Sequence, residues 1–88
     1  MSKKIEVEFK SLPDNYQPEK RGFKPNTIRK VNMSDVRFQE LARRKLVNDL
    51  GKITIINARA SCHHFTRRIT DVTFFDEWVI ISWEHVEV

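Results

Sequence analysis

A chain of 88 residues supplies one hydrophobic core and excludes a second, because so short a polymer buries only a modest fraction of its surface. Hydrophobic residues at 40%, charged residues at 32% and nine aromatics argue for a folded chain and against intrinsic disorder. The net charge of +4 conceals an asymmetry: Lys20 to Arg68 holds thirteen Lys or Arg against three acids, whereas the two flanks together sum to −6. Such a basic middle suggests an anionic partner, with a solvated surface as the competing reading. The lone Cys62 forms no internal disulfide and does not call for an oxidising compartment. Met1 to Lys10 has no apolar targeting region, and no apolar run is long enough to span a bilayer. The chain is therefore expected in the cytoplasm, of a bacterial or phage-infected cell, with no membrane partner.

In chain order, Ile5, Val7 and Phe9 alternate with charged residues and predict a half-buried strand. Residues 11–26 hold all three prolines and Gly22, which predicts a long loop and a first place to look for a site. Thr27 to Val31 reads as a short strand. Ser34 is a candidate N-cap for a helix whose stripe is Phe38, Leu41, Ala42, Leu46 and Leu50, with Gly51 as the stop. Its opposite face carries Arg37, Glu40, Arg43, Arg44 and Asn48, with Glu40 placed to support Arg44 one turn later. Strands follow at Lys52 to Ala58, His64 to Phe74 and Trp78 to Trp83, separated by a turn at Ala60 to His63 and a tight connection at Phe75 to Glu77. In the second of these, Phe65 and Ile69 share a face with Arg67 and Asp71, and Val72 and Phe74 take the other with Arg68. The last is apolar on both faces, as a central strand covered on both sides would be. These elements predict a single α+β domain over residues 1–88. It is a small, partly closed antiparallel β-barrel whose meander closes on the first strand, with one main helix plugging an end.

The most informative cluster runs from Gly22 to Lys30. Gly22 permits a sharp bend, and Pro25 holds Lys24 extended. Thr27 and Arg29, two apart in a strand, emerge on one face. An ammonium, a hydroxyl and a guanidinium thus become available to one anionic or carbonyl-bearing ligand. An exposed basic loop followed by an edge strand is the plainer alternative. Arg67 either lines a cleft beside Phe65 or snorkels from a barrel rim. Phe65, Phe74, Phe75, Trp78 and Trp83 at strand spacings read as core before base-stacking surface. Cys62, His63, His64 and His85 lack the paired spacing of a zinc site, and nothing in the pattern calls for a metal or a cofactor.

The pattern Gly22-x-Lys24-x-x-Thr27-x-Arg29 resembles the signature of ASCH domains in the PUA-like superfamily, usually Gly-x-Lys-x-x-Glu-x-Arg. The resemblance implies a β-barrel with a cleft lined by the motif that binds RNA, single-stranded nucleic acid or a nucleotide. Gly22, Lys24, Thr27 and Arg29 would be the ligand-binding residues, with Arg67 and Arg68 extending the cleft. One branch, the bacterial acetylcytidine amidohydrolases, carries Thr at the Glu position. By that likeness Lys24 and Thr27 are the catalytic candidates of an alternative, amidohydrolase reading. The branch completes its site with a Glu from a helical insertion, for which the short turn Asp71 to Trp78 leaves no room. Glu77 and Glu84 are possible substitutes that no spacing distinguishes. That favours a binding module over an enzyme. A module that docks an acidic protein through the same surface is the third reading.

Overall fold

A computed structural model describes residues 6–85. It contains β1 (Val7–Ser11), α1 (Pro13–Arg21), β2 (Asn26–Lys30), α2 (Val36–Leu46), β3 (Lys52–Asn57), β4 (His64–Phe75) and β5 (Trp78–Trp83). The strands form one sheet in the order β1-β3-β4-β5-β2, curled into a half-barrel. Of the predicted first strand, Lys4 and Ile5 lie outside the described residues, and Val7, Phe9 and Ser11 turn into the core as the alternation requires.

The sheet is mixed, which corrects the all-antiparallel expectation. β1 runs parallel to β3, Val7 opposite Ile53 and Phe9 opposite Ile55, while the β3–β4, β4–β5 and β5–β2 pairs are antiparallel. The chain between β1 and β3 includes both helices and β2, long enough to return it to the end from which β1 starts, as a parallel pair demands. β5 therefore closes on β2 instead of on β1, and β1 and β2 are left as the two edges.

A second correction concerns residues 11–26, which hold a helix where a loop was expected, so there are two helices and not one among the described residues. Pro13 stands at the start of α1, where its missing N–H is no loss. Asp14 in the first turn and Lys20 and Arg21 in the last complement the helix dipole. Gly22 takes a φ of 86° and ends the helix, donating its N–H to the Glu19 carbonyl. Pro18 gives up one internal hydrogen bond, and its own carbonyl accepts from Lys24 N at 3.1 Å. Burial of Tyr16 and Glu19, one turn apart on the same side, holds the segment in place.

In α2 the N-cap is Asp35, not Ser34. Its carboxylate accepts the Arg37 backbone N–H at 2.9 Å and the Arg37 guanidinium at 2.6 Å, which hold it at about 2. Phe38 and Leu41 are buried as expected, but Leu46 is 88% exposed, because the helix ends there and Asn48 turns the chain at a φ of 55°. The expected solvent pair is internal: Glu40 and Arg44 are only 5% and 6% exposed. The Arg44 guanidinium donates to Glu40 and to the Leu50 and Lys52 carbonyls, each at 3.1 Å, and so draws both charges under the turn into β3.

β4 carries a bulge between Ile69 and Asp71. The extra residue reverses the alternation, so Val72 is buried with Phe65 and Ile69 and Phe74 packs against the same core, while Asp71 is exposed. β5 lies inside the sheet, between β4 and the edge strand β2, with Val79, Ile81 and Trp83 buried. Its other face is only partly covered, since Trp78 is 37% exposed and Ile80 half-buried. The core fills the inside of the curl, with Phe65 between Tyr16 and Trp83 at ring separations of 5.4 Å and 6.0 Å. No helix among the described residues is long and apolar enough to cross a membrane.

Candidate functional site

The two sheet edges meet through a side chain instead of a backbone ladder. Arg29 on β2 donates from Nη1 to the Lys10 carbonyl at 2.9 Å and from Nη2 to Ser11 Oγ at 3.0 Å, both on β1. Its Nε–H reaches Thr27 Oγ1 at 2.9 Å. The guanidinium also lies 5.0 Å from the Phe9 ring centroid. A second arginine, on α2, reaches the same edge strand: Arg37 Nη1 donates to the Glu8 carbonyl at 2.7 Å. Glu8 and Lys10 are two apart, so their carbonyls face the same side of the edge strand, and each takes one guanidinium.

Beside this seam, α1 and β2 enclose a cavity of about 250 Å³ lined by Lys10, Ser11, Leu12, Asn15, Glu19, Lys24, Thr27, Ile28 and Arg29. The turn after α1 and the start of β2 thus bring Lys24, Thr27 and Arg29 together in one place. Thr27 is buried and Lys24 and Arg29 are half-buried. The Thr27 hydroxyl accepts from Arg29 and keeps its own proton to donate. A larger groove of about 640 Å³, whose lining includes Phe9, Lys30 and Arg37, shares Lys10 and Arg29 with the cavity. Lys30 and Arg37 there face Glu77 and Asp35, whereas Lys10 and Lys24 form no ion pair among the described residues.

A carboxylate faces the motif, and it is one that reading the sequence missed. Glu19 is 1% exposed, and its Oε1 is buried with no hydrogen-bond partner. Burial pushes its carboxyl above the ordinary range, against the opposing pull of a hydrogen bond with Ser11 and the charges of Lys24 and Arg29. The same burial lowers Arg29, which the Glu19 charge partly offsets. Glu77 and Glu84, the carboxylates considered from the sequence, do not line the cavity; both are exposed and pair with Lys30 and Arg68. The signal for Glu19 was its position three residues after Tyr16, which matters only once Pro13 is read as a helix start and not as a breaker.

The remaining candidates lie elsewhere. Gly22 does not line the cavity; it is the left-handed end of α1, and a Cβ there would stand 2.5 Å from His85 Nδ1. Arg67 packs beneath the end of α1, 4.9 Å from the Phe65 centroid, with Nη2 at 3.5 Å from the Lys20 carbonyl. Arg68 is exposed and pairs with Glu84 at 3.4 Å. Neither extends the cavity, because β5 separates β4 from β2 in the sheet. Cys62 is exposed, and no cluster of three or more His, Cys, Asp or Glu able to hold a metal occurs among the described residues. Comparison with family models, curated proteins and solved structures returned no match.

Proposed function

We propose that the cavity between α1 and β2 binds a nucleotide or the end of a single-stranded nucleic acid. The observation that carries this reading is the convergence of Lys24, Thr27 and Arg29 on one cavity that joins a basic groove through Lys10 and Arg29. Lys24 and Lys10 are the charges left to meet phosphate, since Arg29 already commits three of its N–H groups to the seam and to Thr27. The resemblance of Gly22, Lys24, Thr27 and Arg29 to the ASCH signature points the same way. In a titration with single-stranded oligonucleotides, two phosphate contacts lower affinity about fivefold to tenfold between 50 and 200 mM salt. Lys24→Ala is expected to weaken binding about tenfold or more. Salt-insensitive binding, or an unchanged affinity in Lys24→Ala, would remove the proposal.

A second reading, amide hydrolysis on an acylated nucleoside, is favoured by one observation: Glu19, Lys24 and Thr27 line the same cavity. The likeness to the amidohydrolase branch needs a carboxylate beside the Lys and the Thr, and α1 supplies one without an insertion near β5. In this reading either the Thr27 hydroxyl attacks the acyl carbon, the nucleoside amine leaves and water then frees the acid, or Thr27 orients the acyl group for direct attack by water; Lys24 and Glu19 take the proton of the nucleophile and give one to the leaving amine. Acetate release from acetylcytidine, lost in Thr27→Ala, is its mark; folded protein that releases none excludes it.

A further inference from the structure

The Glu19 carboxyl is built into the cavity with one oxygen left open. Arg29 Nη2–H is donated to Ser11 Oγ at 3.0 Å, and Ser11 lines the same cavity as Glu19. Glu19 Oε1 stays buried without a partner. A buried acceptor in this state is completed by a donor, and a ligand N–H supplies one. A phosphate offers acceptor oxygens in place of a donor and would leave Oε1 unpaired. The cavity also presents two apolar side chains, Leu12 at 60% and Ile28 at 53% exposure, suited to the flat face of a ring. Lys10, which the cavity shares with the adjoining groove, and Lys24 are cations there without an ion pair among the described residues.

We infer that the cavity takes the heterocyclic base of a nucleotide, donor edge towards Glu19, and leaves the phosphate to Lys10 and Lys24. This rests on nucleotide binding as the function of the site and adds the orientation. It makes Glu19 the residue that selects a base over a bare sugar phosphate.

Calorimetric titration of the whole chain with nucleoside 5′-monophosphates, with ribose 5-phosphate and with nucleotides methylated at their ring and exocyclic N–H groups tests it. The expected result is binding of at least one nucleoside monophosphate about tenfold or more tighter than ribose 5-phosphate. Methylation of the donor edge removes that preference, and so does Glu19→Leu. The methylated series uses the unaltered chain and does not depend on how the variant folds. Ribose 5-phosphate binding as tightly as every nucleotide, or a preference that survives both methylation and Glu19→Leu, overturns the orientation and leaves nucleotide binding standing. Failure of all nucleotides and oligonucleotides to bind overturns both.

Discussion

Glu40→Ala is expected to destabilise the fold by about 3–5 kcal/mol, read as a large fall in the urea midpoint at unchanged slope. Glu40 is 5% exposed and accepts from Arg44 at 3.1 Å and from Arg43 at 2.6 Å and 2.9 Å. Removing it takes a carboxylate from beside a buried guanidinium whose other acceptors include the Leu50 and Lys52 carbonyls. The guanidinium then keeps its charge and its burial with less to offset them. Arg43→Ala removes the exposed partner of the same cluster and should lower the midpoint far less than Glu40→Ala. Hydrogen bonding from Arg43 holds Glu40 at about 2, below its ordinary 4.5. A depressed carboxyl stabilises the folded state fully above its unfolded pKa. That contribution is lost as the pH falls from about 4.5 towards about 2. Glu40→Gln should flatten the acid limb of stability over that window. A midpoint unchanged in Glu40→Ala would mean that the cluster adds nothing to the fold.

Arg29→Lys should cost about 2–4 kcal/mol, because hydrogen bonds from a charged donor are each worth roughly 1.5–3 kcal/mol and are not additive. Lysine keeps the charge but cannot reach the Lys10 carbonyl, Ser11 Oγ and Thr27 Oγ1 together, which the planar fork does. The loss falls on the seam between the two sheet edges, so hydrogen exchange of the β1 and β2 amides should accelerate more than that of β4 and β5. Uniform acceleration across the sheet would mean that Arg29 supports the core at large and not the seam. Stability within about 0.5 kcal/mol of the unaltered chain would remove the seam as a structural device.

Local patterns in the sequence carried most of the strands. Val7 and Phe9, and later Val79, Ile81 and Trp83, alternate because one face of each strand meets the core, and that period is visible without knowing the neighbours. Pairing is a different matter. The parallel β1–β3 contact depends on where the intervening helices carry the chain, and nothing within Val7–Ser11 announces its partner. The bulge at Ile69/Asp71 was hidden for a related reason, since one inserted residue reverses a face without disturbing composition. Glu40 and Arg44 read as a solvent pair because buried and exposed i,i+4 pairs have the same spacing; only the carbonyls of Leu50 and Lys52 decide between them.

At the site, Lys24, Thr27 and Arg29 were legible because a single turn and strand place all three, and they do line one cavity. Glu19 was not, because three prolines masked a helix that is held by burial on one side more than by propensity. Arg67 and Arg68 shared the basic character of the motif but not its place, since adjacency across a sheet follows strand order and not charge. The short turn between β4 and β5 has no room for an inserted carboxylate, whereas α1 places Glu19 in the cavity of Lys24 and Thr27 from the N-terminal side of the motif.

An amide-resolved NMR titration of the chain with a single-stranded oligonucleotide tests nucleotide binding at this cavity most directly. The expected result is saturable shifts gathered at Lys10–Asn15, Glu19, Lys24 and Thr27–Arg29, reduced by salt and lost in Lys24→Ala. Shifts absent at saturating ligand, or confined to the far face of β4 around Arg68, would contradict it.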